Sequence, residues 1–536
     1  RAVVYPVGRD RYGRATYAHL TFEQLERESD GLAAGLAAMG IQRGTRTVLM
    51  VKPGIEFFAL IFAMFKCGAV PVVVDPGMGP RRMLECLEST RPEAFIGIPL
   101  AHLLRICFPR YFRSVLTTVT VGSKFFWGGA TFAGLCARPW QPFKLAATTR
   151  DETAAILFTT GSTGPAKGVI YTHGNFDAQI DQIQSHFHIG EDEIDLPTFP
   201  LFALFDPALG MTAVIPDMDP RKPAHVDPEK IIEPILNHGV TNMFASPALL
   251  NRVGSFGSKR NVRLPSLRRV VSAGAPVAPA IIEQFSSMLN DTSEIHTPYG
   301  ATEAVPIISM GSHEILAETR PLSEQGYGLC VGRPLGKTEV RIIRITDDPI
   351  AAWSEDLPVR DGDIGEIVVR GDLVTRSYFR NPQANIQAKL TDCHSFWHRM
   401  GDLGWRDSKN RIWFCGRKSH RVVTAGGDMF TIPCEAIFNT HPGVFRSALV
   451  GVGPHPHQTP VICIERSPEG LKMEPDRLTD ELLQTAAASP LTQSIRHILF
   501  HSGFPVDIRH NAKIFREKLA VWASRRVKHQ EMDHAD

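Results

Sequence analysis

The sequence predicts an α/β protein in which helices cover parallel β-sheets. The first observation is a strand–helix–strand alternation, in which apolar strands at residues 47–51 and 70–74 flank an apolar helix at 55–67. The second is that similar apolar runs return further along the chain, at residues 94–98, 154–158, 241–244 and 269–272. Such βαβ organisation is typical of a parallel sheet with helices on its faces.

Length and composition limit the class of protein. A chain of 536 residues is too long for one core and is expected to form at least two domains. The 43% of hydrophobic and 21% of charged residues are those of a globular protein, and a net charge of +2 gives no general attraction to nucleic acid or anionic membrane. The most apolar helical stretch, residues 57–65, is far shorter than the ~20 residues that span a membrane.

Local sequence signals predict where the first helix begins and ends. Thr21 is the predicted N-cap of a helix that ends at Gly40, with Gln24 completing a capping box.

The nine cysteines are odd in number, widely scattered and include no Cys-x-x-Cys pair. They are interpreted as reduced core residues of a cytoplasmic protein without a structural zinc site.

The strand at 154–158 leads into a segment of hydroxyl residues, glycines and one lysine. Glycine lets the backbone approach an anion, while N–H groups, hydroxyls and a lysine charge bind phosphate oxygens. A Walker A loop is excluded, because Ala166 precedes Lys167 and Gly168 follows it. The nucleotide-binding residues predicted here are Thr159, Thr160, Gly161, Ser162, Thr163, Gly164 and Lys167.

A second motif follows at residues 296–303. Tyr299 offers a ring that can stack on a base, and Gly300 permits close approach of the backbone. Thr302 supplies a hydroxyl for the α-phosphate of a nucleotide, and Glu303 supplies a carboxylate for Mg²⁺. One glutamate suffices, since magnesium binds ATP through few protein carboxylates together with phosphate oxygens.

These two motifs resemble those of the adenylate-forming enzymes, the superfamily of acyl-CoA synthetases, luciferases and peptide-synthetase adenylation domains. The resemblance covers essentially the whole chain. It implies a large N-terminal AMP-binding domain with βαβ parallel sheets and a β-rich subdomain at residues 1–415. It further implies a hinge at 416–421 and a small mobile α+β lid domain at 422–536, with ATP and Mg²⁺ as cofactors.

The same resemblance assigns further residues. It implies that Gly274 and Ala275 contact adenine, that Asp402 binds the ribose, and that Arg417 also reaches the nucleotide. Lys513 would be brought to the site by the small domain. The catalytic residues implied in this way are Lys513, Thr302 and Glu303.

Some segments depart from the superfamily pattern. Ser419 stands where an Asp or Lys hinge residue is usual, residues 422–428 contain no lysine, and Asn511-Ala512 precedes Lys513. These regions serve the thiol acceptor in the second half-reaction, so thioester formation is in doubt. Residues 198–205 are almost wholly apolar, which fits a hydrophobic acyl pocket or a core segment equally well.

More narrowly, the amino-acid sequence at residues 161–167, 299–304 and 510–517 resembles that of the β-lactone synthetases of bacterial long-chain olefin biosynthesis. This implies adenylation of a long-chain 2-alkyl-3-hydroxy acid, cyclisation to a β-lactone, and a complex with other enzymes of that pathway. A long-chain fatty acyl-CoA synthetase is the alternative. A non-catalytic nucleotide sensor or scaffold is the third interpretation, and the presence of Lys513, Glu303 and Asp402 argues against it.

Overall fold

The computed structural model describes residues 1–137, 140–158, 166–506 and 514–533. As far as residue 296, strands that occur singly or in consecutive pairs alternate with helices. The strands are β1 (Val3–Arg9), β2 (Ala15–Leu20), β3 (Arg46–Met50), β4 (Val70–Val73), β5 (Ala94–Gly97), β6 (Thr117–Thr120), β7 (Ala130–Thr131), β8 (Thr153–Phe158), β9 (Gly168–Thr172), β10 (Ile194–Pro197), β11 (Thr212–Val214), β12 (Asn242–Ala245), β13 (Arg269–Ser272) and β14 (Glu294–His296). The helices are α1 (Phe22–Ala38), α2 (Ile55–Lys66), α3 (Pro80–Thr90), α4 (Pro99–Cys107), α5 (Phe132–Cys136), α6 (His173–Phe187), α7 (Phe205–Ala208), α8 (Glu229–His238), α9 (Pro247–Lys259) and α10 (Pro279–Ser286).

Beyond residue 296 the chain is richer in strands. These are β15 (Tyr299–Ala301), β16 (Ala304–Ser309), β17 (Leu329–Pro334), β18 (Glu339–Ile343), β19 (Gly365–Arg370), β20 (Lys389–Asp392), β21 (Ser395–Arg406), β22 (Ile412–Arg417), β23 (Val422–Thr424), β24 (Gly427–Met429), β25 (Val444–Val452), β26 (Thr459–Arg466) and β27 (His497–Phe500). The helices are α11 (Ser312–Glu314), α12 (Arg320–Glu324), α13 (Pro382–Ala388), α14 (Thr431–Asn439), α15 (Pro475–Ala487) and α16 (Arg516–Asp533).

Two of the sheets are largely parallel. The first sheet has the order β7-β6-β5-β3-β4-β8-β9, and within it β9 runs antiparallel to β8. The second sheet has the order β14-β13-β12-β10-β11-β1-β2, and within it β2 runs antiparallel to β1. The carboxyl ends of the parallel strands of each sheet therefore lie along one edge.

Helix α2 is apolar over nearly its whole surface, and it packs between the two parallel sheets. Its residues pack in one core cluster with Leu49 of the first sheet and Ala213 of the second. A helix that is hydrophobic all round is a buried helix. Lys66, at its end, places Nζ 2.7 Å from Asp30 of α1, so the charge is paired at the border of this core.

The N-terminal capping signal is confirmed. The Thr21 hydroxyl accepts from the backbone N–H of Gln24 at 3.1 Å, and the Gln24 side chain accepts from the N–H of Thr21 at 2.8 Å. The predicted strands are also found, with ends that differ by one residue at most positions. The ends shift because pairing with neighbouring strands, rather than local sequence, decides where a ladder stops.

A third sheet is antiparallel, with the order β15-β16-β17-β22-β21-β19-β18 and β20 paired to β21. Residues 422–533 contain the hairpin β23–β24, a separate sheet of order β25-β26-β27, and the helices α14 to α16. The predicted fold class, with parallel sheets followed by β-rich and α+β parts, is confirmed. The domain limits at 1–415, 416–421 and 422–536 stay a prediction. Among the described residues, no helix is both long and apolar enough to cross a membrane.

The second sheet contains a buried pair of carboxyl groups. Asp195 on β10 and Asp206 on α7 are 2% and 4% exposed, and their side chains hydrogen-bond to each other. The Asn242 amide also donates to Asp195. Burial raises the pKa of both carboxyls, and the charge of Asp195 raises the pKa of Asp206 further. The pair is therefore expected to keep one proton, which Asp206 donates to Asp195.

This pair predicts a pH dependence of stability. A carboxyl whose pKa is raised by folding stabilises the fold at low pH, and that contribution is lost as the pH rises through the folded value. Asp206→Asn keeps a donor toward Asp195 without a titrating proton. We expect its melting temperature to fall less than that of the wild type between about pH 6 and pH 9.

Thermal melts across this pH range check the prediction. Asp291→Asn, at an exposed carboxylate, is the matched control and should retain the wild-type slope. Parallel curves for wild type and Asp206→Asn would show that the pair does not hold a proton.

Candidate active site

A cavity of about 4070 Å³ is lined by residues that follow strands of the first and second sheets and by residues of the third. Ligands of open α/β sheets bind in the crevice beyond the carboxyl ends of the strands. Every described residue that the sequence predicts for nucleotide binding lines this cavity, namely Lys167, Gly274, Ala275, Tyr299, Gly300, Thr302, Glu303, Asp402 and Arg417.

The predicted phosphate loop falls between two paired strands. Residues 159–165 lie outside the described part of the chain, and they include the predicted binding residues Thr159, Thr160, Gly161, Ser162, Thr163 and Gly164. Phe158, the last residue of β8, is the antiparallel partner of Gly168, the first residue of β9. The loop thus leaves and rejoins the sheet at the carboxyl end of β8, where Phe158 lines the cavity. Its phosphate contacts stay a prediction.

The segment 375–379 connects β9 to the turn that follows β15. Tyr378 forms an isolated antiparallel bridge with Val169 of β9. The backbone N–H of Thr375 donates to the carbonyl of Glu303 at 2.9 Å, and its hydroxyl donates to the same oxygen at 3.0 Å. Backbone pairing therefore fixes Glu303 relative to the strand that follows the phosphate loop.

Tyr378 holds Lys167 and Glu303 on the same side of the cavity. Its hydroxyl donates to Oε1 of Glu303 at 2.7 Å, and Nζ of Lys167 lies 5.0 Å from its ring centroid, within the range of a cation–π contact. Burial and the Glu303 carboxylate raise the pKa of the Tyr378 hydroxyl, which keeps it a hydrogen-bond donor. A carboxylate that can bind a metal ion and a cation that can bind phosphate oxygens therefore lie beside the same ring.

The backbone of residues 299–304 forms a tight turn. The Tyr171 hydroxyl donates to the Thr302 carbonyl at 2.5 Å, which anchors Thr302 to β9. A Cβ on Gly300 would lie 2.4 Å from the carbonyl oxygen of Ala304. The sequence prediction gave Gly300 a role in approach to the nucleotide, and the β15–β16 hairpin itself already requires glycine there.

Tyr299, Asp402 and Arg417 form one cluster. The Tyr299 hydroxyl donates to Oδ2 of Asp402 at 2.5 Å, and Nε of Arg417 lies 3.1 Å from Oδ1. Asp402 and Arg417 are cross-strand partners on β21 and β22. Burial raises the pKa of Asp402, which is 3% exposed, while Arg417 and the Tyr299 hydrogen bond act in the opposite direction. A carboxylate held in this way is a preorganised acceptor for ligand hydroxyls.

Gly274 and Ala275 lie in the turn that follows β13, within the cavity wall. Gly274 has a φ of +93°, in the left-handed region that side chains rarely adopt. The turn therefore presents backbone and a small side chain to the cavity. This geometry is compatible with a flat ring lying against it, as predicted for adenine.

Lys513 lies outside the described residues, and its place at the site stays a prediction. The chain on both sides is held firmly, because Val506 and Ile514 form an antiparallel bridge. The guanidinium of Arg516 donates to both carboxylate oxygens of Glu435, at 2.6 and 2.7 Å. These contacts fix the two ends of the segment that carries Lys513.

Tyr378, which lines the cavity, and Lys389, which lies beside it, are residues that the sequence did not single out. Nζ of Lys389 donates to the carbonyl of Thr375 and lies 6.0 Å from the Tyr378 ring centroid. Desolvation lowers the pKa of Lys389 to about 7, although Glu303 acts in the opposite direction. A lone lysine is normally a surface residue, so only the tertiary fold indicates that Lys389 is partly buried.

The apolar segment 198–205 serves both of the purposes that its sequence allows. Phe202 lines the cavity and stacks on Phe244, with ring centroids 4.2 Å apart and planes 25° apart. Ala203 is fully buried and belongs to the core cluster around α2. The segment is thus a core element whose exposed edge gives the cavity an apolar wall.

The predicted hinge at 416–421 is held by ion pairs. Nζ of Lys418 lies 3.1 Å from Oε2 of Glu366, a buried residue of β19. Arg421 pairs with Asp347 at 2.6 Å. The segment is therefore tied to the third sheet in this conformation, and rotation about it stays a prediction.

Two curated relatives are similar over nearly the whole chain. The olefin beta-lactone synthetase of Stenotrophomonas maltophilia (strain K279a) is 49% identical over 522 residues, which cover 96% of this chain and 93% of the relative. The olefin beta-lactone synthetase of Xanthomonas campestris pv. campestris is 47% identical over 530 residues, which cover 98% of this chain and 94% of the relative.

A solved structure shares the fold. The amide bond synthetase McbA from Marinactinospora thermotolerans superposes with a TM-score of 0.79 at 22% sequence identity. The match covers 97% of this chain and 96% of that protein. At this identity the likeness concerns the arrangement of the sheets and helices.

The family is shown by a match to a family model as well as by these relatives. The model of the AMP-binding enzymes matches residues 1–379, which include β8, β9 and the turn with Thr302 and Glu303. The relatives extend the match through Asp402 and Arg417 to the C-terminal part. The chain therefore belongs to the AMP-binding enzyme family, whose members form adenylates with ATP.

Proposed function

We propose that this protein is an ATP-dependent ligase that adenylates a long-chain 2-alkyl-3-hydroxy acid and cyclises the acyl adenylate to a β-lactone in olefin biosynthesis. The observation that carries the proposal is the 49% and 47% identity, over nearly the full chain, to two olefin beta-lactone synthetases. The cavity supports it, because polar nucleotide-binding candidates and an apolar wall line the same space.

In the first step a carboxylate oxygen of the acid attacks the α-phosphate of ATP, and the bond to pyrophosphate breaks. Asp402, held by Tyr299 and Arg417, would accept from the ribose hydroxyls. Thr302 would donate to the α-phosphate, and Lys513 would meet the charge that develops on its oxygens. Donors aimed at developing charge are usually the largest contribution to such catalysis.

The residues present fit a magnesium ion that accompanies ATP. Glu303 supplies one carboxylate at the phosphate side of the cavity, and Tyr378 orients it through Oε1. A bound magnesium ion would neutralise charge on phosphate oxygens, for which one or two protein carboxylates are enough. The neighbouring Lys167 would add a further positive charge for the same phosphates.

In the second step the 3-hydroxyl oxygen of the same acyl chain attacks the activated carbonyl carbon. A new carbon–oxygen bond closes the four-membered ring, the bond between carbonyl carbon and phosphate oxygen breaks, and AMP leaves. The hydroxyl proton passes to phosphate or to water. Intramolecular attack replaces a second substrate by proximity, so no thiol acceptor is required.

A long-chain fatty acyl-CoA synthetase would share the first step and differ in the second. The hairpin β23–β24 lacks a lysine, as the sequence already indicated. Arg421, at its base, contacts Asp428 at 3.2 Å, so the hairpin is held against the predicted hinge.

A complex with other olefin-pathway enzymes and a cytoplasmic location stay predictions that agree with this function.

The role of Asp402 is tested with Asp402→Asn and two nucleotides. Loss of a charged acceptor should raise the KM for ATP by about 10-fold to 100-fold, since a hydrogen bond to a charged group is worth about 1.5–3 kcal/mol. The wild type should use 2′-deoxy-ATP less well than ATP, and the variant should discriminate less. ATP–pyrophosphate exchange measures the KM for ATP and the KM for 2′-deoxy-ATP in both proteins. An unchanged preference between the two nucleotides would remove Asp402 from the ribose site.

The role of Glu303 is tested by a magnesium titration of adenylation rate. Glu303→Gln should need more Mg²⁺ for half-maximal rate, because a neutral amide is a poor ligand for a hard cation. Tyr378→Phe is the matched variant, since it keeps the carboxylate and removes only its hydrogen bond. We expect a smaller shift for Tyr378→Phe. Superimposable titrations for Glu303→Gln and wild type would contradict the assignment.

The overall function is tested by mass spectrometry of the products. A 2-alkyl-3-hydroxy acid with ATP should give β-lactone and AMP in many turnovers, with or without CoA. A simple fatty acid without the 3-hydroxyl should be adenylated and held as the AMP ester. Rapid formation of acyl-CoA from that fatty acid and CoA would instead identify an acyl-CoA synthetase.

A further inference from the structure

The cavity extends well beyond the nucleotide-binding candidates, along the carboxyl edge of the first sheet. Residues that end or follow four strands of this sheet line it in turn. They are Leu157 and Phe158 of β8, Val74 and Met78 after β4, Val51 and Pro53 after β3, and Ile98 and Leu100 after β5. This part of the cavity, here called the first-sheet arm, leads away from the phosphate loop.

The length of the first-sheet arm follows from the strand order. Within the sheet, β8 is followed by β4, β3 and β5, all parallel. Three steps of about 4.8 Å give roughly 14 Å between the end of β8 and the end of β5. An extended hydrocarbon chain with carbon–carbon bonds near 1.52 Å advances about 1.25 Å per bond and covers this span in about 11 bonds.

The arm ends in a groove between helices α3 and α4. On α4 its wall is an apolar stripe at helical spacing, formed by Leu100, Leu103, Leu104 and Cys107. On α3 its wall is a second stripe at the same spacing, formed by Arg82, Glu85, Cys86 and Ser89. Residues three and four apart share one face of a helix, so each helix turns one whole face toward the groove.

Within the stripe of α4, Leu104 packs against the core cluster of the first sheet, whereas Leu100 and Leu103 belong to no core cluster of the described residues. The core side of this helix is formed by Ala101, Leu104 and His102, whose Nε2 contacts the carbonyl of Val119 at 3.1 Å. Leu100 and Leu103 are 71% and 41% exposed. Leucines that face a cavity rather than the core indicate an apolar ligand.

We propose that this groove binds the distal part of one of the two alkyl chains of the substrate. The proposal rests on the proposed function, in which the acid carries one chain at C2 and another at C3. The apolar wall around Phe202 and Phe244, beyond the strands of the second sheet, receives the other chain. Two arms that diverge along the carboxyl edges of two sheets match a substrate whose two chains diverge from one carboxylate.

Hydrocarbon is the occupant that the groove walls favour. On α3 the charges of Arg82 and Glu85 are opposite, so this wall carries no net charge to select an ionic headgroup. On α4 the leucine stripe offers only dispersion contacts and the removal of apolar surface from water. Each methylene removed from water favours binding by roughly four-fold, so a chain end in the groove gains affinity without a polar anchor.

The test uses Leu103→Glu, because the exposed position of Leu103 lets the variant fold. Its matched control is Leu116→Glu, at a leucine that is 85% exposed and lies outside the cavity lining. Two 2-alkyl-3-hydroxy acids are compared. In the long acid both chains exceed about 14 carbons, and in the short acid both chains have fewer than about 8 carbons, so that they end before the groove. Lactone formation is followed with each acid dispersed in cyclodextrin.

We expect Leu103→Glu to raise the KM for the long acid about ten-fold, with kcat and the KM for the short acid unchanged. Leu116→Glu should match the wild type on both acids. An unchanged KM for the long acid overturns the proposal, and so does an equal rise for both acids. An effect on the long acid that appears only with anionic phospholipid vesicles also overturns it, because the groove would then contact a membrane surface.

Failure of the proposed function would be recognised separately, since the wild type would then form lactone from neither acid. A melting curve shows whether Leu103→Glu folds. If it does not, Leu100→Glu, at the more exposed position of the same stripe, is measured against the same control and must show the same selective rise.

Discussion

The pairing of residues 375–379 with β9 and with the Glu303 backbone is the contact on which the site depends. It joins the strand after the phosphate loop to the turn of the third sheet, through the Val169–Tyr378 bridge and the hydrogen bonds of Thr375 to Glu303. Because the bridge and one of the two Thr375 hydrogen bonds use backbone groups, most side-chain changes nearby would leave this part of the connection intact. This pairing sets the distance between Lys167 and Glu303, the two residues proposed to bind the same phosphates.

The parallel strands supply the second constraint. Since every crossover returns the chain to the same end of the sheet, the turns after β3, β4, β5 and β8 collect at one edge. The turns of the second sheet collect in the same way, and α2 fills the space between the sheets. The cavity is thus a consequence of topology, and its two apolar directions follow the two sheets.

Buried charges around the cavity fix positions rather than add stability. Arg399 and Glu366 form a pair at 2.6 Å with side chains only 2% and 1% exposed, and Lys418 joins it from the predicted hinge. The free energy needed to remove two charges from water is about as large as the free energy gained from their attraction. Removing one partner, however, leaves an uncompensated buried charge. The contacts of Lys418 therefore hold the predicted hinge segment, residues 416–421, against the third sheet in one arrangement.

The sequence alone determined the features that adjacent residues encode. These include the capping box at Thr21, the apolar strands and the turn from Tyr299 to Glu303, because each depends on local spacing. The same kind of local spacing predicts the phosphate loop before Lys167. Tertiary structure decided which distant residues meet. Tyr299 and Asp402 are 103 positions apart, and the partial burial of Lys389 leaves no local signal. The physical reason is that strand order and register set such contacts, and both arise from the packing of whole sheets rather than from neighbouring residues.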